Sequence, residues 1–492
     1  MSDFPDNQRL RRSFTVGILL LTFFALGLRL FRLGNQSFWV DEVSSILTAQ
    51  GPLKGIYERS ALAANSLPTF FLLLKPFVSG ASTDLEFRAR LLSVIAGTLS
   101  VPLFVGVVYF WRRKVVTALL AGLLLAVNPL HLWYSQEVRG YALMLMAGLA
   151  ALLCFERARA RKNAGWWALY TLSAGLALAV HRTGILFPAA AGLWHAWEVV
   201  KRRESWKGLL FHVPIAAATL AALAVHSYPP PEGYSRSASG LEIGYAFMTF
   251  VGGYSFGPSV TDIQSVGPLA AISHHALQTA MLGLLLLALA WVCVRNFPRL
   301  ISGKEIQLLF LGIGVVSVYA LLSGFPFNVR YALPALLGFL ALAAVVATQS
   351  SPAPLARVFV CALVAVSLWA DGQWFYRWDY RKGDSRAVAA WLVQHRDHVH
   401  SWMVLPDYMN VPVAWYLKNE PPLLAGEIPP TGDRSTTFPS VPDVLLITRR
   451  HHLQNPEQVI AAYTSAAHGV TTNRAFAGFE VYQGGDGATD AK

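Results

Sequence analysis

Four short stretches of the chain hold residue types that could do chemistry together. NQSFWVDEVSSILTAQ (35–50) carries the adjacent carboxylates Asp41 and Glu42. A carboxylate can take a proton from an attacking hydroxyl, stabilise positive charge in a transition state or bind a divalent cation through its oxygens. NPLHLWYSQEVRGYALML (128–145) carries Glu137 and Arg139, flanked by Trp133, Tyr134 and Tyr141. Arginine suits phosphate because its planar fork reaches two oxygens at once. LAVHRTGILFPAA (178–190) adds His181 and Arg182, and FPFNVRYALPAL (325–336) adds Arg330 and Tyr331. Each stretch also has a plainer reading. Asp41 could cap a helix, and Glu137 with Arg139 could be a local ion pair. His181 could be a satisfied polar contact, and Arg330 could meet a lipid phosphate or a carboxylate.

The elements that must position these residues are membrane helices. Of 492 residues, 54% are hydrophobic and 14% charged, against about 25% charged in soluble domains. The net charge of +12 does not point to nucleic acid, because the basic residues cluster in short runs between apolar segments. Cys154, Cys293 and Cys361 lie inside apolar segments, so no disulfide framework is implied. Apolar runs of spanning length lie near 14–33, 90–111, 115–133, 140–156, 165–182, 184–200, 208–226, 275–295, 305–323, 331–349 and 355–372. They predict a polytopic α-helical membrane protein with about eleven transmembrane helices. RLRRSF ahead of the first run reads as the flank of a signal anchor.

Charge orients the spans. With the N-terminus in the cytoplasm, RRK (112–114), RARARK (157–162), KRRESWK (201–207), Arg295 through Lys304 and Arg357 all fall on the cytoplasmic side. The long connections 34–89 and 227–274 and everything after 372 then fall outside, which in a bacterium is the periplasmic side of the inner membrane. All four chemical stretches map to that outer face. Within 34–89, DEVSSILTAQ and SLPTFFLLLKPFV predict short helices lying along the membrane, with Asp41 near a helix N-terminus. Within 227–274, YPPPEGYSRSASG and FVGGYSFGPSV mark irregular backbone. In 373–492, DSRAVAAWLVQH and NPEQVIAAYTSAA read as helices, and SWMVLP, VPDVLLITRR and FEVYQ as strands. The chain thus divides into a transmembrane domain, 1–372, and a small C-terminal soluble α/β domain, 373–492. The closing GGDGATDAK reads as disordered.

FWVDEVSS, NPLHLWYSQEVRGYAL, HRTGILF and FNVRYALPAL, in that order after a first span, resemble the C-type integral-membrane glycosyltransferases (GT-C). The nearest branch holds protein O-mannosyltransferases and aminoarabinose transferases, and the resemblance covers about residues 14–349. It implies a polyprenyl-phosphate-linked sugar donor, such as an undecaprenyl phosphate sugar. The sugar passes to a lipid, glycan or protein acceptor on the outer face, with inversion. It also implies that Asp41 is the catalytic base, with Glu42 beside it and Glu137 as the second acidic group. Arg139, Arg330 and Tyr331 become phosphate binders. Relatives often carry His-Pro-Pro before the juxtamembrane helix; here AANSLPTFF has Asn65 and Pro68 instead, which weakens any metal role carried over from them.

The chemistry matches the residue types. The acceptor needs a base, assigned to Asp41. The departing lipid phosphate needs cations or donors, assigned to Arg139, Arg330 and His181. Tyr134, Tyr141 and Tyr331 are further candidates for substrate contact. The developing sugar cation favours Glu42 or Glu137; alternatively Asp41, Glu42 and Glu137 could hold magnesium or manganese. The donor already lies in the membrane, so the lack of a P-loop or a clear GxGxxG fits. The main rival is a lipid or solute transporter or flippase, but no internal repeat is visible and the acids lie at the outer edge instead of mid-span. A non-catalytic scaffold would leave the acid and arginine constellation without a role.

Overall fold

Apolar runs fold as helices because a backbone cut off from water must satisfy its own hydrogen bonds, and a helix does so within one segment. The computed structural model describes residues 8–62, 67–80, 84–225, 241–259, 262, 268–323, 327–350, 352–377, 380–418, 424–425, 441–448, 455–467, 470–476 and 478–484. Asn65, all of YPPPEGYSRSASG and all but the first residue of GGDGATDAK lie outside these residues. The helices are α1 (Gln8–Leu30), α2 (Val40–Gln50), α3 (Leu53–Leu62), α4 (Pro68–Val78), α5 (Leu85–Arg112), α6 (Val115–Ala126), α7 (Pro129–Ser135), α8 (Tyr141–Arg161), α9 (Ala164–Val180) and α10 (Leu186–Val200). They continue with α11 (Val213–Val225), α12 (Leu241–Gly252), α13 (Pro268–His274), α14 (Ala276–Arg295), α15 (Lys304–Ser323), α16 (Leu333–Gln349), α17 (Ala353–Tyr376), α18 (Ser385–Gln394), α19 (Asn410–Leu417) and α20 (Pro456–Ala466). The strands are β1 (Ser401–Leu405), β2 (Leu424–Ala425), β3 (Val444–Ile447), β4 (Val470–Phe476) and β5 (Phe479–Gly484).

The chain forms two units. The first comprises Met1–Leu33, Thr48–Phe256 and Leu277–Asp371. Each of the eleven apolar runs is helical here, but the runs are not equal. Among the described residues, seven helices are long and apolar enough to cross a membrane, or eight if α6 and α7 count as one broken span bent by 59°. At 17, 15 and 13 residues, α9, α10 and α11 are shorter than the ~20 residues of a straight crossing.

The break between α6 and α7 interrupts what reads in the sequence as one span, 115–133. Pro129 has no N–H to continue the helix. Asn128 takes over as cap: its side chain accepts from the His131 backbone N–H at 3.0 Å and donates to the Phe250 carbonyl at 2.8 Å. On the other side of the break, Arg29 of α1 donates to the last carbonyls of α6, Leu125 O (3.4 Å) and Ala126 O (3.2 Å). The same guanidinium meets His131 Nδ1 at 2.7 Å. A cation suits a helix C-terminus, where carbonyls are left over.

Gly97 of α5 makes room for α7. A Cβ at that position would stand 2.1 Å from Ser135 Oγ and 3.2 Å from Arg29 Nε. Gly97→Ala is therefore expected to overpack this contact and cost about 1–3 kcal/mol. Thermal melting of the purified protein checks this, and an unchanged melting temperature would show that α7 can shift freely.

The far ends of α5, α8 and α10 and the start of α15 form a charged cluster. Glu156 accepts from Trp111 Nε1 (3.1 Å) and Arg159 (3.0 Å) and pairs with Lys304. Arg159 also pairs with Glu204, and Arg112 with Glu305. The outer basic residues here, Arg113, Lys114, Arg161, Lys162, Lys201, Arg202 and Arg203, are exposed.

The second unit comprises Gly34–Leu47, Gly257–Ala276 and Gly372–Lys492. Among the described residues, five strands form one sheet in the order β2-β1-β3-β5-β4. β1 runs parallel to β2 and β3, and β5 runs antiparallel to β3 and β4. Strand residues alternate between faces. Trp402, Val404, Val444, Leu446 and Val481 pack with Val388 and Leu392 of α18 and Val413 of α19. Met403, Leu445, Ile447 and Tyr482 pack with Tyr463 of α20. Both faces of β3 are covered, which explains its unbroken apolar run, Val-Leu-Leu-Ile.

Candidate active site

In the first unit the site residues stand on turns, where side chains can leave the helix packing. The turn after α7 is held from three sides. Gln136 Nε2 donates to the carbonyls of Arg29 and Phe31, each at 2.9 Å. Ser93 Oγ of α5 donates to the Arg139 carbonyl at 3.3 Å. Gly140 is close-packed, since a Cβ there would come 2.9 Å from Val180. This turn buries Glu137, which is 1% exposed.

Tyr134 and Tyr254 share a hydrogen bond between their hydroxyls at 3.0 Å, and the Glu137 carboxylate acts electrostatically on both phenols. Burial pushes the Tyr254 phenol above its ordinary range, so it stays an O–H. The Tyr134 and Tyr141 rings meet at 4.9 Å, and Tyr141 in turn lies 5.0 Å from the His181 ring.

His181 ends α9 and opens a 3₁₀ turn, Arg182–Ile185. Its Nδ1 accepts from the Thr183 backbone N–H at 3.2 Å. Nδ1 also lies 2.8 Å from Thr183 Oγ1, which donates to Met144 Sδ at 3.1 Å, and the ring's other nitrogen is Nε2. That Nε2 is buried and has no hydrogen-bond partner among the described residues. Tyr331 stacks on the ring at 6.0 Å and 28°. The guanidiniums of Arg139, Arg182 and Arg330 all act electrostatically on this imidazole. Arg330 is placed by Asn328, whose side chain accepts from the Arg330 backbone N–H at 3.1 Å and caps the turn leading into α16. Arginines whose charge reaches one buried imidazole suit an anion with several oxygens.

The sequence candidates Tyr134, Glu137, Arg139, Tyr141, His181, Arg330 and Tyr331 therefore gather in one unit. Tyr254 completes them and has a signal in hindsight. It follows Gly253, whose φ of +62° admits glycine readily and whose missing Cβ lets the chain pass against Pro129.

Asp41 and Glu42 belong to the second unit. Trp39, not Asp41, precedes the first helical residue, Val40. Asp41 stands in the first turn, half-buried, where the helix dipole favours a carboxylate. Glu42 is fully buried. Its Oε2 accepts from the Trp39 backbone N–H at 3.4 Å, as in one arm of a capping box. The same oxygen lies 3.3 Å from Lys382 Nζ. Lys382 carries no local signal in the sequence, because its partner is far upstream.

The metal reading does not fit. Among the described residues no three His, Cys, Asp or Glu side chains gather as a ligand set, and Glu42 already faces the Lys382 cation.

Residues 68–228 match the family described as dolichyl-phosphate-mannose-protein mannosyltransferase. A comparison with curated proteins gives no match. Among solved structures, ArnT from Cupriavidus metallidurans in the apo state is 14% identical with a TM-score of 0.51, covering 97% of this chain and 99% of that one. The same protein bound to undecaprenyl phosphate is 14% identical with a TM-score of 0.50, covering 97% and 100%. At this identity the likeness is one of fold, and it runs the length of both chains. The chain is a multi-pass membrane protein with a fold like that of ArnT, and residues 68–228 resemble the mannosyltransferase family.

Proposed function

We propose that the protein is a membrane glycosyltransferase that moves a sugar from a polyprenyl-phosphate donor to a lipid, glycan or protein acceptor. The carrying observation is the buried His181 imidazole, on which Arg139, Arg182 and Arg330 all act electrostatically. Cations and donors of this kind answer the charge that builds on a leaving phosphate.

The reaction is a single displacement at the anomeric carbon. The acceptor oxygen forms its bond to that carbon as the bond to the donor phosphate oxygen breaks. The electron pair stays on the polyprenyl phosphate, held by Arg330, Arg139 and His181. The acceptor proton passes to a carboxylate base, and the family resemblance, not geometry, assigns that role to Asp41. Glu137, buried beside the Tyr134 and Tyr254 hydroxyls, stabilises positive charge on the sugar. Attack opposite the leaving group inverts the anomeric carbon.

Topology follows the same reading. The exposed basic cluster at the Arg112, Arg161 and Lys201 ends of the helices faces the cytoplasm by the positive-inside rule. The turns at 136–140, 181–185 and 328–332 then face outward, the periplasm in a bacterium. In this scheme the shorter helices α9, α10 and α11 also cross, giving eleven crossings with residues 373–492 on the outer side.

The test is release of free polyprenyl phosphate by the purified protein in lipid, from a panel of polyprenyl-phosphate sugars with candidate acceptors. Acceptor-dependent release is expected. Movement of intact donor across a vesicle bilayer without cleavage would overturn the reading in favour of a flippase.

A further inference from the structure

We infer that Lys382 is a positioning residue for this transferase: it holds Glu42, and through Glu42 it sets the helix turn that presents Asp41. The inference rests on the assignment of Asp41 as the base.

The ion pair is almost wholly out of solvent. The side chains of Lys382 and Glu42 are 4% and 0% exposed, 3.3 Å apart. Exposed pairs hold little, whereas a buried pair leaves an uncompensated charge when either partner is removed. Glu42 Oε2 also accepts from the Trp39 N–H, so one carboxylate oxygen ties the start of α2 to Lys382. Lys382 Nζ further lies 5.7 Å from the centre of the Trp39 ring. Asp41 sits between Trp39 and Glu42 in the sequence, so its backbone is fixed on both sides.

The rest of 35–42 is held by the same segment. The Lys382 backbone N–H donates to Gln36 Oε1 at 3.3 Å, and the Gly383 carbonyl accepts from Ser37 Oγ at 3.0 Å. Arg386 donates to the Asn35 carbonyl at 2.8 Å, and the Phe38 N–H donates to Tyr416 Oη at 2.8 Å. Trp415 packs edge-on against Phe38 at 6.4 Å. A loop that needed only to link two helices would not require a buried lysine at its centre. A general base does require its carboxylate held within a fraction of an ångström of the productive place.

The experiment compares the wild type, Lys382→Met, Lys382→Arg and the doubly neutral Lys382→Met/Glu42→Gln. The double variant removes both charges, so no lone charge remains to unfold the protein. Its melting temperature is expected near that of the wild type, while turnover falls about 10–100-fold and KM for the donor is unchanged, because the base and not the phosphate site is disturbed. Lys382→Arg is expected to recover more turnover than Lys382→Met. Amide hydrogen exchange over residues 35–47 is expected to quicken in the double variant. Turnover within twofold of the wild type in the double variant would overturn the inference, and so would a loss that follows melting temperature alone across the series. A wild type silent towards every donor would instead fail the transferase reading itself, and the two failures are distinguishable because the wild type is run in each arm.

Discussion

Asp41→Asn is expected to reduce acceptor-dependent release of polyprenyl phosphate by about 10²–10⁴-fold, the usual span for loss of a positioned base. Asparagine keeps the size of the side chain and its place in the first turn of α2, but it takes no proton. Binding of the product, polyprenyl phosphate, should be unchanged, because the groups assigned to the phosphate are Arg139, Arg330 and His181. A titration with polyprenyl phosphate beside the turnover assay separates the two effects. The half-buried position of Asp41 supports this role over that of Glu42, which is fully buried and engaged with Trp39 and Lys382. Equal turnover in wild type and Asp41→Asn would remove Asp41 from the mechanism and move the base to Glu137.

Arg330→Met should do the reverse. Polyprenyl phosphate binding is expected to weaken about 30-fold or more, as for truncation of one partner in a buried charged contact. Turnover is expected to fall about 10²–10³-fold, as when a donor to a developing anion is removed. Arg330→Lys keeps the charge and loses the fork, so it should lie between the two. The protein should still fold, because the backbone of this turn is held by the Asn328 cap and not by the guanidinium. A binding curve unchanged in Arg330→Met would place the phosphate elsewhere and dissolve the cluster around His181 as a substrate site.

Local signals in the sequence proved reliable where one residue or one periodicity decides the structure. Leucine- and alanine-rich runs became helices. Ser-Trp-Met-Val-Leu and Val-Leu-Leu-Ile became strands β1 and β3. Arg139, His181 and Arg330 were visible because each stands at the edge of an apolar run, where a polar group needs a reason. What stayed hidden depends on partners distant in the chain. The polar strand β4, Val-Thr-Thr-Asn-Arg-Ala-Phe, lies at the edge of the sheet and has no apolar alternation to mark it. The break at Asn128 and Pro129 was hidden by the apolar residues on both sides. Lys382 reads as one more basic residue in Arg-Lys-Gly-Asp until the fold buries it beside Glu42. The grouping of residues 34–47 with the C-terminal segment has no sequence pattern, since it rests on contacts between residues more than 300 positions apart: hydrogen bonds, the Lys382–Glu42 pair and the Phe38–Trp415 rings.

Arg29 carries a consequence for biosynthesis. Its partners on the α6–α7 break, Leu125, Ala126 and His131, lie 96, 97 and 102 residues downstream. At a synthesis rate of about 5–20 residues per second, α1 leaves the ribosome roughly 5–20 s before they exist. Through that interval the guanidinium near the end of α1 has the Ala25 carbonyl of its own helix, 3.0 Å away in the finished protein, and the water and headgroups of the bilayer surface. The contacts that complete the coordination of Arg29 therefore form only after α6 and α7 have been made, and Gln136, which donates to the Arg29 carbonyl, joins the same turn to α1.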